Sequence, residues 1–168
     1  VAQLHREEGL TVAVIEQEKI FNEFSSGTPD ASAYRRLMKM FYDRAEGNEN
    51  VRPRYLLLFG DGSYNNRKSM EKLHSPECNM LLTYQSKTSI DERESFVIED
   101  YFGFLEDNSG EEIKVDKVCL GIGRFPISSI KNARLVVDKL YRYVHDKDFS
   151  SWKNNICIAA DDGDEAIH

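Results

Sequence analysis

The chain reads as an α/β domain with a mostly parallel sheet, on three observations. Arg54-Tyr-Leu-Leu-Leu-Phe59 is an apolar run without polar alternation, the mark of a strand buried on both faces. Thr11-Val-Ala-Val-Ile15 is a shorter run of the same kind. Val118 through Asp164 reads as strand, Gly-Arg-Phe-Pro turn, amphipathic helix and second strand, long enough for a right-handed crossover to a parallel neighbour.

In chain order, Ala2 to Gly9 looks like the end of a helix stopped by its glycine. Glu16 to Phe24 is a short helix or turn closed by Ser25-Ser-Gly-Thr-Pro29. Asp30 can cap the next helix through backbone N–H groups left free in its first turn. Tyr34, Leu37, Met38, Phe41 and Ala45 recur there at helical spacing, with Arg35, Arg36, Lys39 and Asp43 expected to face water, and Gly47 ends it. Residues 63–98 read as a long polar excursion with a short strand at Leu81-Leu-Thr-Tyr84, a loop length more often functional or mobile than idle. Tyr101–Leu105 and Ile113–Val115, flanking Asp107-Asn-Ser-Gly110, suggest a hairpin. Val118 to Ile122 is the next expected strand. Ser128 or Ser129 caps the following helix, whose core stripe is Ile130, Ala133, Val137, Leu140, Tyr141 and Val144. Ile156-Cys-Ile-Ala-Ala160 is the last expected strand.

With 168 residues the chain can bury a real core as one domain. A net charge of −7 without a basic stripe argues against nucleic acid as a partner. No apolar run approaches the roughly 18–20 residues of a membrane span, and no signal peptide is present in the chain.

The glycine pairs Gly60-Asp-Gly62 and Gly121-Ile-Gly123 complete no phosphate-binding pattern, and Asp61 would repel an anion. Asp161, Asp162 and Asp164 follow an expected buried strand and are the candidate ligands of a hard cation, Mg²⁺ or Ca²⁺; the competing reading is a solvated turn. Asp61 and Asp100 stand near expected strand ends, where a loop-fixing hydrogen bond is preferred to a site role. Cys119 and Cys157 fall inside apolar strands and read as buried thiols. His74 and Cys78 are four apart, but Pro76 disfavours presenting them from one helix. His5 and His145 lie near helix ends and His168 is the last residue. Nucleophilic catalysis needs a thiol or hydroxyl with a base in reach, and none of these residues forms a recognisable pair.

Seven stretches together resemble one family: Gly9-Leu-Thr-Val-Ala-Val-Ile15, Glu18 to Phe24, Pro53 to Ser63, Glu99-Asp-Tyr-Phe-Gly-Phe-Leu105, Ile122-Gly-Arg-Phe-Pro126, Ala133 to Tyr143, and Trp152 to Asp164. In order and spacing they are similar to the gingipain-type cysteine peptidases, above all the sortase (signal peptidase) branch that serves type IX secretion. The resemblance implies a three-layer caspase-like fold, of which residues 1–168 are the N-terminal part, truncated at both ends. It implies peptide-bond cleavage by a Cys–His dyad, the histidine in a Gly-His-Gly motif and the cysteine near an Asn-Gly. Neither motif occurs in these residues, so no catalytic residue is assigned, the substrate-binding residues are unknown, and the chain is expected to be inactive alone. No cofactor is required by this chemistry. The expected partners are a protein or peptide substrate, the remainder of the peptidase domain and other type IX secretion components, at the surface of a Gram-negative bacterium. Self-association through exposed sheet edges is also expected. The alternatives are a noncatalytic caspase-like binding module and a Mg²⁺-dependent phosphatase-like hydrolase using Asp161, Asp162 and Asp164.

Overall fold

The computed structural model describes residues 1–67, 80–88, 90–91, 93–113, 115–148 and 150–158. Helix α1 (Ala2–Glu7) ends at Gly9, whose φ of +89° suits a residue without a side chain. Helices α2 (Gln17–Phe24) and α3 (Ser32–Arg44) follow, and Asp30 Oδ1 accepts from the Ser32 N–H at 2.8 Å, as its position suggested. Strand β1 (Tyr55–Phe59), a 3-10 turn at Asp100–Gly103 and strand β2 (Gly121–Phe125) come next among the described elements. Helix α4 (Ile130–His145) and a short 3-10 turn at Ser151–Asn154 complete the described elements.

β1 and β2 pair in parallel, Tyr55 opposite Gly121 and Phe59 opposite Phe125. One sheet face carries the core. Leu58 is buried there with Ile20 and Phe21 of α2, Ala33, Tyr34 and Leu37 of α3, and Tyr101 and Phe102 of the 3-10 turn. A smaller cluster of Met38, Leu105 and Leu120 lies beside it. Three of the five apolar α3 positions expected in the core are buried there, Ala45 is buried nearby, and Phe41 is on the rim.

The observed elements depart from the sequence expectation where tertiary pairing decides. Val118–Leu120 is not in the strand. The Cys119 N–H is taken by the Gly103 carbonyl at 2.8 Å, so pairing with β1 starts only at Gly121, whose N–H donates to the Arg54 carbonyl. The hairpin expected at 101–115 is not seen among the described residues, and Asp100–Gly103 forms the 3-10 turn instead. Phe102 and Phe104 N–H groups bond back to Glu99 and Tyr101, and a tight turn can bury Tyr101, Phe102, Phe104 and Leu105 together, which an alternating strand cannot. Leu81–Tyr84 is irregular, held by isolated bridges Asp61 to Met80 and Gln85 to Val97. Thr11–Ile15 is outside any strand, with Val14 and Ile15 exposed, and Ile156–Ile158 is likewise unpaired and exposed. Both segments have strand composition, but no described strand lies against them. The rest of the 156–160 segment lies outside the described residues.

The Ser129 cap is as expected, its Oγ accepting from the Asn132 N–H at 3.3 Å. The α4 stripe is not. None of its residues is buried among the described parts of the chain, and Ile130, Tyr141 and Val144 are exposed.

Candidate functional site

In parallel α/β sheets the carboxyl ends of the strands are where loops gather polar groups. Here β1 ends in Gly60-Asp-Gly62 and β2 in Arg124-Phe125, and Arg124 is the centre of the arrangement. Its Nε donates to Glu99 Oε1 at 2.7 Å and its Nη2 to Glu99 Oε2 at 3.2 Å, a fork on both carboxylate oxygens. Nη1 reaches the carbonyls of Gly60 and Asp61, at 3.2 and 3.3 Å, and Nη2 the carbonyl of Leu82 at 3.0 Å. Only 12% of the Arg124 side chain and 28% of Glu99 is exposed. A guanidinium so withdrawn from water is stable because every direction of its donor fork meets an acceptor. Removing one partner of a fully buried pair costs on the order of 3–5 kcal/mol, and this part-buried pair falls below that range.

The loops tied by Arg124 are also tied to each other. Asn66 and Thr83 exchange bonds like a short ladder: Asn66 Nδ2 donates to the Thr83 carbonyl, and the Thr83 N–H donates to Asn66 Oδ1. Thr83 Oγ1 donates to the Ser63 carbonyl at 2.8 Å. Gly62 permits this closeness, because a Cβ there would lie 2.7 Å from Thr83 Cγ2. Below, the Tyr34 hydroxyl donates to Gln17 Oε1 at 2.9 Å and accepts from the Leu82 N–H at 3.3 Å, while Gln17 Nε2 donates to the Met80 carbonyl. Burial pushes the Tyr34 phenol up to about 12, against the smaller opposing effects of the Leu82 amide and the Arg124 charge. Above, Tyr64 is exposed on the loop after β1, its hydroxyl 2.6 Å from Ser95 Oγ.

The residues singled out in the sequence divide clearly. Asp61 fixes its own loop, accepting from the Gly62 N–H at 2.9 Å, in the structural role preferred for it. Asp100 sits exposed on the 3-10 turn. His5 is 3.0 Å from Glu8, and His145 Nδ1 is 2.9 Å from the Tyr141 carbonyl. Cys119 is half-buried and contacts the Lys117 carbonyl at 3.7 Å, whereas Cys157 is exposed rather than in a buried strand. Among the described residues no cysteine is hydrogen-bonded to a histidine, and no cluster of three potential metal ligands occurs. Asp161, Asp162, Asp164, His74, Cys78 and His168 lie outside the described residues. No described helix is long and apolar enough to cross a membrane.

Glu99 and Arg124 escaped notice as a pair, because Gly-Arg-Phe-Pro reads as a turn. The available signal was a lone arginine beside a strand otherwise built of apolar and small residues. Arg35 was also misassigned: instead of facing water, its Nε donates to the Phe104 carbonyl at 2.7 Å and its Nη2 to the Ser109 carbonyl at 2.5 Å.

A parallel sheet with its polar loops locked at the carboxyl ends, and seven stretches of shared order, point to one lineage. The family description Peptidase family C25 matches residues 1–168, and the chain belongs to that family, the gingipain-type cysteine peptidases. Its fold is accordingly caspase-like α/β, represented by part of the domain. The chain is similar to the protein in the crystal structure of dimeric latent PorU from Porphyromonas gingivalis: 42% identical, with a TM-score of 0.75 over 94% of this chain and 15% of that one. The chain thus spans 15% of the length of that relative. No curated protein matches it significantly.

Proposed function

We propose that the chain is scaffold and cleft wall of a cysteine-type endopeptidase or sortase that removes C-terminal secretion signals at the surface of a Gram-negative bacterium. The observation that carries this reading is the 42% identity to PorU across nearly the whole chain. The chemistry of the described residues agrees with a supporting role. The carboxyl-end loops are held by a satisfied ion pair, and no Cys–His pair stands among them. The thiol that attacks the substrate carbonyl, and the imidazole that takes its proton, come from residues outside these 168. The partners of this half are then the remainder of the peptidase domain, the peptide drawn into its cleft, and other components of type IX secretion.

The test is a fluorogenic peptide assay with a thiol-directed probe, run on the isolated chain and on the full-length protein. The full-length protein should cleave and be labelled, and the isolated chain should do neither. Turnover by the isolated chain would overturn the scaffold role, and an inert full-length protein would overturn the peptidase reading.

A further inference from the structure

Arg124 bonds to three separate segments: the loop after β1 through Gly60 and Asp61, the 80–83 segment through Leu82, and the approach to the 3-10 turn through Glu99. Among the described residues these segments have little regular structure, and their ladder pairing is limited to the isolated bridges Asp61 to Met80 and Gln85 to Val97. Backbone bonds fix part of their heights above the sheet, the Gly60 N–H donating to the Phe125 carbonyl and the Leu81 N–H to the Asp61 carbonyl, and side chains fix the rest. The guanidinium sets three of those heights at once from a rigid strand, and Asn66 with Thr83 transmits the setting to the far end of the loop, next to Tyr64. Such convergence is more than a strand end needs for stability. One or two bonds would satisfy the carbonyls, and an apolar side chain would fill the space without the cost of a desolvated charge.

We propose that Glu99 and Arg124 are positioning residues for peptide binding. They hold the 60–66 loop, with Tyr64 exposed upon it, at the height where an extended peptide lies against the carboxyl ends of β1 and β2. This rests on the peptidase reading above. Neither residue touches the reacting atoms, so their effect falls on substrate binding and leaves the chemical step alone. Lysine at 124 keeps the charge but cannot reproduce the planar fork on Glu99 or reach three segments together. Glutamine at 99 keeps the shape and loses the charge.

The experiment uses the full-length protein and its Arg124→Lys and Glu99→Gln variants. Arg124→Lys should raise KM for a peptide substrate about tenfold and leave kcat within about twofold, the pattern of lost uniform binding. Glu99→Gln should move KM in the same direction by less, and it keeps the test available if the lysine variant folds poorly. Alkylation of the reactive thiol by iodoacetamide, which needs no peptide cleft, should proceed at the unaltered rate in both. Amide exchange at Gly62, Leu82 and Thr83 should quicken in both variants. Unchanged KM in the two variants would overturn the proposal, as would kcat and alkylation falling together with binding. If the full-length protein cleaves no peptide, the peptidase reading fails by itself. The exchange rates then decide whether the pair holds the loops, and unaltered exchange would overturn that too.

Discussion

The body of the molecule and the arm after β2 have equally strong amphipathic helices and opposite fates. In α3 the apolar positions Tyr34, Leu37 and Met38 are buried against β1, the 3-10 turn and each other. In α4 the corresponding stripe of Ala133, Val137 and Leu140 is only half-covered, and Leu135, Tyr141 and Tyr143 stand exposed. Both helices satisfy the same periodicity. The difference is in what surrounds them. α3 meets a sheet face and two further elements, whereas α4 lines an open groove with Phe125 and Trp152. The arm is held by local contacts instead. Trp152 Nε1 donates to Asp148 Oδ2, Lys153 pairs with Asp146, and Tyr141 stacks on His145. Amphipathicity therefore states that a helix has a face to bury, and burial is supplied only by a partner.

That contrast should appear most strongly in core truncation. Phe102 is fully buried between Tyr34 and Tyr101, with rings 5.5 and 5.9 Å away. Phe102→Ala should lower stability by about 3–5 kcal/mol, measured by urea unfolding. A loss below about 1 kcal/mol would mean the body is not the cooperative unit its burial indicates.

A smaller effect is expected at Tyr34, where a polar group lies within the same core. Tyr34→Phe removes the bonds to Gln17 and Leu82 and should cost about 1 kcal/mol at neutral pH. The raised pKa adds a pH signature. Because the folded state holds the phenol neutral, its contribution is complete below the unfolded value of about 10 and is lost as pH rises towards about 12. Tyr42, pushed up to about 12 chiefly by its hydrogen bond to Glu106, adds to the same alkaline loss. The substitution at Tyr34 should therefore flatten part of the decline in urea midpoint between about pH 10 and 12. An undiminished decline would show that Tyr34 is not buried in this way.

The least effect belongs to the arm. Leu140→Ala should change the unfolding free energy by no more than about 1 kcal/mol, because little apolar contact is lost. A change as large as that of Phe102→Ala would show that α4 is packed as core in solution.

The legible parts of the fold were those governed by local repetition. Helix α3 follows from its period and the start of α4 from Ser129; β1 follows from its unbroken apolar run, but the burial expected on both its faces does not hold among the described residues, where Tyr55 and Leu57 are exposed. Asp30 and Gly9 were readable from the chemistry of helix ends. Less was legible where a residue's partner is far along the chain. Tyr101-Phe-Gly-Phe has strand composition, and only its burial from several sides makes it a turn. Thr11–Ile15 has strand composition too, yet a strand exists only beside another. The candidate site was least visible, since Arg124 meets acceptors near residues 60, 82 and 99, and Arg35 meets carbonyls at 104 and 109. Spacing along the sequence carries no trace of such pairings.

The register that joins Tyr55 to Gly121 also sets an order of events in folding. The two strands have no hairpin between them, so the whole stretch from the polar loops to the 3-10 turn must be brought round before the first ladder bond forms. Loop closure grows slowly with length, about 0.6 kcal/mol for each doubling, but it is met before any pairing compensates. Helices α2 and α3, adjacent in the chain, can associate early, and the sheet must close late. Until it does, Tyr55-Leu-Leu-Leu-Phe59 is an apolar strand with both edges open, and the newly made chain is then most prone to aggregate.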